Sequence, residues 1–258
     1  MATDKLTFLG TGTSYGIPQI GCDCSVCRST DPRNARTRCS AILEAAGVRL
    51  LIDAAPDFRT QALREGISDI DGVFITHVHA DHIFGLDDLR PLSLNRESPL
   101  PIFADAETAS LLRQTFAYIF STPIRRENVP WMVIQEIVAG EPFTLGEATF
   151  LPFPVEHGRW SCLGIRYGDF AYITDAKRIP AKSVTALAGI KTLCLDLLRD
   201  DPHPTHMSTK ESLATVKELG SPESYFIHMG HEIEHASFDK NLPQGCQLAY
   251  DGLVISLD

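Results

Sequence analysis

The sequence has few of the features that would place it in a membrane, in an oxidising compartment or on a nucleic acid. No apolar run approaches the roughly 18 residues that a bilayer-spanning helix needs. The opening residues, Met1 to Lys5, pass straight into the strand-like Leu6-Thr7-Phe8-Leu9. The charged and apolar regions of a signal peptide are missing there, so the expected location is the cytoplasm. Basic side chains are outnumbered, 23 Lys and Arg against 33 Asp and Glu, for a net charge of −10. That balance argues against broad nucleic-acid binding, which rests on neutralising phosphates, and no long basic insertion is present to grip RNA. A small phosphorylated substrate stays open, because bound cations offset charge locally. Seven cysteines, an odd number unevenly spread, do not make a disulfide framework. Internal repeats and low-complexity stretches are absent as well.

What is present is enough for one sizeable core. The chain has 258 residues, 44% of them hydrophobic, a length at which α/β folds are often single domains. A single domain over 1–258 is therefore expected. Leu6–Leu9 reads as a first strand ending at Gly10-Thr11-Gly12-Thr13-Ser14. This loop lacks the spacing and lysine of a nucleotide-binding loop and reads as a tight turn near a sheet edge. Ser40–Glu44 and Arg49–Asp53 form a hairpin, and Phe58–Glu65 a helix that Gly66 stops. Gly72–Ile75 is a buried strand, and Ile83–Asn95 a helix with Ile83, Leu86, Leu89, Leu92 and Leu94 as apolar positions. Ile102–Ala104 is a strand and Glu107–Phe120 a helix whose apolar face includes Leu111, Leu112, Thr115, Phe116 and Ile119. A loop over Arg125–Pro130 follows, then strands at Val133–Ile137, Thr149–Phe153, Leu163–Tyr167 and Phe170–Thr174, the last two turning at Gly168-Asp169. Thr192–Leu197 and Ser224–Ile227 are further strands around a helix at Ser208–Leu219, where Ser208 and Glu211 form a capping box. Two last strands flank Asp251-Gly252. Hairpins mixed with helices in both halves predict an α/β molecule of two packed sheets with helices outside.

The chemistry concentrates in Thr76-His77-Val78-His79-Ala80-Asp81-His82, between a strand and a helix. Open α/β sheets place ligands at such handovers. His77 and His79, two apart, point the same way in an extended segment. Asp81 and His82 follow the turn and reach a second point, which suits two adjacent divalent cations. Hydrogen-bonded histidines in a polar loop are the plainer alternative. Three more residues end strands in the second half: His157, Asp175 and His228. Taken singly, they read as a loop histidine, a helix cap and a satisfied core histidine.

Together, His77, His79, Asp81, His82, His157, Asp175 and His228, in that order, resemble the metallo-β-lactamase superfamily, with its H-x-H-x-D-H motif followed by a lone His, a lone Asp and a final His. The resemblance covers the whole chain and implies that family's αβ/βα four-layer sandwich of two mixed sheets with outer helices. It also implies one metal held by His77, His79 and His157 and another by Asp81, His82 and His228, with Asp175 bridging and Asp53 in support. Two cations about 3.5–4 Å apart share a water and lower its pKa from about 15.7 to about 7, and they also take up charge developing on a phosphoryl or acyl group. Imidazole suits zinc and carboxylate tolerates manganese, so the metal stays open between the two. The oxygen ligands resemble those of phosphodiesterase branches of the superfamily.

The segment Gly21-Cys22-Asp23-Cys24-Ser25-Val26-Cys27 narrows this further. Three thiolates and an imidazole close a tetrahedral structural zinc site, with His231 the best fourth ligand, in a loop over about 21–39. The segment and the His228/His231 pair resemble the phosphodiesterase family of the carbon–phosphorus lyase pathway, which cleaves 5-phosphoribosyl 1,2-cyclic phosphate. That resemblance also places a catalytic histidine at His206, beside Asp81 in the reacting centre. A histidine there would bond the phosphoryl group or protonate the leaving alkoxide; the alternative is a solvent-exposed loop residue like His203. Residues 54–61 depart from that family and are closer to a wider set of similar hydrolases whose substrate is unsettled. A coenzyme-PQQ biosynthesis family carries a comparable cysteine cluster. The expected function is a two-metal phosphodiesterase on a small cyclic phosphodiester. A thioester or lactone hydrolase on the same metals and a noncatalytic accessory protein are the alternatives. The expected partner is that small substrate, with no membrane, no stable nucleic acid, and a homodimer left open. Cys39, Cys162, Cys194 and Cys246 read as buried structural thiols, and His235 as a surface residue.

Overall fold

The computed structural model describes residues 3–94, 96–120 and 129–257. The first half runs β1 (Lys5–Gly10), β2 (Ser40–Ala45), β3 (Val48–Ile52), α1 (Phe58–Glu65), β4 (Gly72–Phe74), α2 (Ala80–Ile83), α3 (Arg90–Leu94), β5 (Leu100–Ala104), α4 (Ala106–Thr115), α5 (Ala117–Phe120) and β6 (Met132–Glu136). The second runs β7 (Phe143–Leu145), β8 (Ala148–His157), β9 (Trp160–Tyr167), β10 (Phe170–Ile173), α6 (Ala181–Ala186), β11 (Thr192–Asp196), α7 (Thr209–Leu219), β12 (Glu223–Ile227), α8 (His235–Asp239), β13 (Cys246–Leu248) and β14 (Val254–Ser256).

These strands form two seven-stranded sheets, ordered β14-β1-β2-β3-β4-β5-β6 and β13-β12-β11-β10-β9-β8-β7. Each is mixed. The first is antiparallel from β14 to β3 and parallel from β3 to β6. The second is parallel from β13 to β10 and antiparallel from β10 to β7. Side chains alternate between two buried faces, as strand geometry requires. In β3, Leu50 and Ile52 join Phe8, Phe74, Phe150, Ile165 and Tyr172 in the core between the sheets. Leu51 faces the other way, toward Phe58 of α1 and Leu112 of α4. On the far side, Ile173 and Leu195 pack with Val216 of α7. The order is helices, sheet, sheet, helices: the two-sheet sandwich with outer helices that the sequence predicts. Among the described residues, no helix is long and apolar enough to cross a membrane.

Local chemistry sets several boundaries. The β2–β3 hairpin turns through Ala46 and Gly47, both at positive φ, as a two-residue hairpin loop demands. Gly66 ends α1 in the left-handed conformation. At α7 the Glu211 carboxylate accepts from the Ser208 backbone N–H and from its hydroxyl, each at 2.8 Å.

Other boundaries differ from expectation. The helix expected over 83–95 begins at Ala80, so Asp81 and His82 lie in its first turn, and it then breaks into α2, a 3₁₀ turn at Leu86–Leu89 and α3. The break follows from packing: Gly85 donates to the Ala54 carbonyl at 2.8 Å, and a Cβ there would sit 2.0 Å from the Ala55 oxygen. The helix expected over 107–120 is interrupted at Phe116, and Thr115 is exposed; its buried face is Thr108, Ala109, Leu112, Phe116 and Ile119. Gly10–Ser14 is not an edge turn. Thr11 is buried, Met229 N–H donates to its carbonyl at 3.0 Å, and Gly12 bridges to Met229 and Arg38, which seams the two sheets together. His235 is buried rather than at the surface, and Cys246 is half-buried, unlike Cys39, Cys162 and Cys194. The loop expected at 125–130 lies outside the described residues up to 128, as does Asn95.

Candidate metal centre

The site gathers at the carboxyl ends of strands from both sheets, the place open α/β folds reserve for ligands. Asp53 follows β3, His77 follows β4, His157 ends β8, Asp175 follows β10, Asp196 ends β11 and His228 follows β12. Three of these, Asp53, Asp175 and His228, have φ of 60, 48 and 60°. Non-glycine residues seldom adopt that left-handed backbone, and such strain concentrates at functional sites.

All seven residues singled out in the sequence lie together, in two groups that share one carboxylate. His77, His79, His157 and Asp175 form one, and Asp81, His82, Asp175 and His228 the other, with ligand atoms within 4.8 Å of one another in each. In the first, His77 Nε2 lies 2.9 Å and His157 Nε2 3.2 Å from His79 Nδ1. Asp175 Oδ2 stands 3.6 Å from His77 Nε2 and 3.8 Å from His157 Nε2. Its Oδ1 turns to the second group, 3.2 Å from His82 Nε2 and 3.4 Å from His228 Nε2. Asp81 Oδ2 is 3.2 Å from His82 Nε2 and 3.7 Å from His228 Nε2.

The other ring nitrogens are fixed from behind. His82 Nδ1 donates to Asp53 Oδ2 at 2.7 Å, and His157 Nδ1 to the Thr205 carbonyl at 2.9 Å. Asp53 also accepts from the Thr76 N–H and hydroxyl, both at 2.8 Å. Such partners set the tautomer, so Nε2 carries the lone pair toward the centre. His82 Nε2 and His228 Nε2 are buried with no hydrogen-bond partner. Buried nitrogens without partners, converging with two acidic side chains, are the donor set a divalent cation satisfies. The residues fit a pair of such cations.

Electrostatics follow from crowding. Burial, then the charge at His82, hold His77 well below the ordinary imidazole range. Burial would also depress His82, but Asp175, Asp81 and Asp53 override it and raise it well above. Ligation needs neutral imidazole, so a cation at His82 competes with a proton.

His206 stands beside this centre and is not a solvent-exposed loop residue. It lies before α7, largely buried, its ring 4.7 Å from His228 and 4.8 Å from His157. Its Nδ1 donates to Asp196 Oδ2 at 2.8 Å, leaving Nε2 3.9 Å from Asp175 Oδ2. Burial pulls its pKa down, but the Asp196 carboxylate overrides that and raises it to about 9. Asp196 escaped the sequence reading; an acid closing the apolar run Leu193-Cys194-Leu195 was the available signal. The same oxygen accepts from Ala176 N–H at 2.8 Å.

A second cluster lies across the loop after β12. His231 Nδ1 is 3.2 Å from Cys22 Sγ and 3.7 Å from both Cys24 and Cys27 Sγ. Cys27 N–H donates to Cys24 Sγ at 3.4 Å and lowers that thiol to about 7, while burial raises Cys27 to about 11. Three sulfurs around one imidazole nitrogen fit a four-coordinate zinc. Arg36, also missed, joins this segment to the His228 loop. It is fully buried and donates to the Gly230 carbonyl at 3.1 Å, the Ile233 carbonyl at 2.8 Å and Asn34 Oδ1 at 3.3 Å. Between the two clusters opens a cleft of about 450 Å³, walled by the 13–19 segment, by Leu198, Arg199, His203 and His206, and by the 228–232 loop.

The comparisons with known proteins agree with this architecture. Residues 48–229 match the family model described as Beta-lactamase superfamily domain. A crystal structure of a new diphosphatase from the PhnP family is 43% identical, with a TM-score of 0.92, and the match covers 99% of this chain and 98% of that one. An octanoyltransferase of Porphyromonas gingivalis is 38% identical over 261 residues, a match spanning 98% of this chain but only 52% of that protein. The chain thus spans about half the length, or less, of the curated relatives it matches first. The zinc-bound PqqB of Methylobacterium extorquens shares the fold, at 20% identity and a TM-score of 0.79, covering 98% of this chain and 100% of that one.

Proposed function

The chain belongs to the beta-lactamase superfamily, and on that premise we propose that it is a phosphodiesterase working with two divalent cations on a small, cyclic phosphodiester. The observation that carries this reading is Asp175, whose two oxygens face different groups of imidazoles, so that neither group is complete without the other. His77, His79, His157 and Asp175 would hold one cation, zinc or manganese, and Asp81, His82, Asp175 and His228 the other. Bound there, such a pair supplies Lewis acidity to a phosphoryl oxygen and lowers the pKa of a water. The remaining work falls to the chain. Asp53 and the Thr205 carbonyl keep His82 and His157 in the tautomer that aims Nε2 inward. His206, its Nδ1 held by Asp196, presents Nε2 toward the centre, where it would hold a proton for the departing alkoxide. The cleft is small-molecule sized, and 5-phosphoribosyl 1,2-cyclic phosphate is the substrate to try first. The similarity to a PhnP-family diphosphatase supports chemistry at phosphorus. His77→Ala and Asp81→Ala are expected to abolish hydrolysis of bis(4-nitrophenyl) phosphate while the circular-dichroism spectrum is kept; full activity in metal-stripped wild type overturns the reading.

The octanoyltransferase relative favours a second reading, a thioester hydrolase on the same residues. Because this chain spans 52% of that protein, the acyl chemistry belongs equally well to its other half. Rates on an octanoyl thioester and on the diester, measured side by side, decide.

A further inference from the structure

Two histidines, His203 and His206, lie on the loop between β11 and α7, and the reaction described above uses only the second. His203 reads in the sequence as a solvent-exposed loop residue. The structure instead half-buries it in the wall of the cleft, its ring 5.1 Å from that of His206. The loop is closed at its base, where Leu198 N–H donates to the Met207 carbonyl at 3.0 Å and Thr209 N–H to the Arg199 carbonyl at 2.9 Å. Within it, Thr205 faces three ways. Its carbonyl accepts from His157 Nδ1 at 2.9 Å. Its methyl group meets the hairpin turn at Gly158, where a Cβ would stand 2.9 Å away. Its N–H and hydroxyl both face His203 Nδ1, at 3.4 and 3.3 Å.

These last two bonds are long, but the first runs one way only. A backbone N–H donates and cannot accept, so His203 Nδ1 is the acceptor and carries no proton. A protonated ring, with N–H on both nitrogens, would set two donors against each other. The ring is therefore neutral with its hydrogen on Nε2, the polar atom turned away from Thr205. Burial, then the charges of His206 and Arg199, also hold its pKa below the ordinary imidazole value. His203 thus offers the cleft a donor that brings no charge and gives up no proton, beside the ring of His206.

We propose that His203 is a second catalytic histidine, whose Nε2–H donates to the oxygen leaving phosphorus while His206 protonates it. This rests on the phosphodiesterase reading. A hydroxide oxygen bonds to phosphorus as the bond from phosphorus to the alkoxide breaks. The proton on His206 Nε2 passes to the alkoxide, and the His203 proton stays on its nitrogen. A fixed donor aimed at charge that develops only in the transition state raises kcat without tightening ground-state binding. Two donors on one oxygen matter most where that oxygen leaves as a strong base, so the pair is matched to diesters with poor leaving groups.

The test compares methyl 4-nitrophenyl phosphate with methyl phenyl phosphate, whose phenoxide is the more basic leaving group, on metal-loaded protein. His203→Phe, which keeps a ring without the donor, should lower kcat about 10²-fold on the phenyl ester and only about threefold on the nitrophenyl ester. His203→Gln, whose amide N–H stands in for Nε2–H, should recover part of the loss. In wild type, a proton–nitrogen correlation spectrum should show the His203 hydrogen on Nε2. A residue that only packs the loop would instead lower both rates and the melting temperature together. Equal losses on the two esters, a change confined to KM, or a hydrogen on Nδ1 overturns the role of His203 and leaves the phosphodiesterase reading standing. Failure of metal-loaded wild type to cleave either ester rejects both.

Discussion

The two clusters that meet at the loop after β12 are built on opposite plans. The His/Asp centre is set on the ends of strands from both sheets, its members buried apart from the half-buried His79, and its His82 and His157 rings held by Asp53 and the Thr205 carbonyl. The cysteine cluster sits on a segment whose only helical turn is Pro32–Asn34, with its four residues half-buried and the sulfurs leaning mostly on one another and on His231. The first is shaped by the fold before any ion arrives. The second rests on its own ligands, on Arg36 and Asn34, which bond the 230–235 segment, and on the isolated bridges at Gly12 and Ile17. Rigid elements place side chains more accurately than loops do, which supports the proposal that the first cluster carries the chemistry and the second a tethering role.

This contrast can be broken from either side. After the loss expected at the proposed cation-holding residues His77 and Asp81, the largest effect is expected at Asp196, which bonds His206 Nδ1. Asp196→Asn should cut hydrolysis about 10²–10⁴-fold, the range for a positioned acid, and should lower kcat while KM moves little. A change confined to KM would remove Asp196 from the mechanism. Next comes His235, which sits where the two regions join, its backbone N–H on Asn34 Oδ1 at 2.8 Å. Burial, with help from Arg33 and Arg36, depresses its pKa to about 4. The unfolded chain binds this proton first, so stability is full above about pH 6.5. It is lost as pH falls from there through about 4, by up to about 3 kcal/mol. His235→Leu should flatten that part of a melting-temperature profile, and an unchanged slope would place the acid sensitivity elsewhere. The smallest catalytic effect is expected from Cys24→Ser, with a loss within about tenfold, since the thiol acts only through the His228 loop. Metal analysis should give one ion fewer per chain, and limited proteolysis should cut faster within residues 21–39. An unchanged metal count would leave the cysteines to redox or packing roles.

Much of the fold was legible because its strands are buried on both faces and bounded by turn residues, as at Ala46-Gly47 and Gly168-Asp169. The positions of the site residues were legible for a related reason: an imidazole or carboxylate at the end of an apolar run stands out. What stayed hidden depends on partners far along the chain. Arg36 looks like a surface cation until Gly230, 194 residues on, receives its guanidinium. Asp251 looks like a turn residue until Thr11 and Thr37 bond it. The break at Gly85 is invisible to helical periodicity, because the cause is the Ala54 and Ala55 backbone against which it lies. The strand β7 was missed because three residues leave no period to count.

The left-handed backbone at Asp53, Asp175 and His228 has a consequence for the history of such proteins. Each costs roughly 1–3 kcal/mol that glycine would not incur, so at these positions stability and catalysis pull in opposite directions. A lineage released from catalysis would be free to relax them, and a lineage under selection for turnover would not. Among relatives of this fold, donors kept at these positions are then expected in the working hydrolases, and drift to glycine in proteins that have kept only the shape.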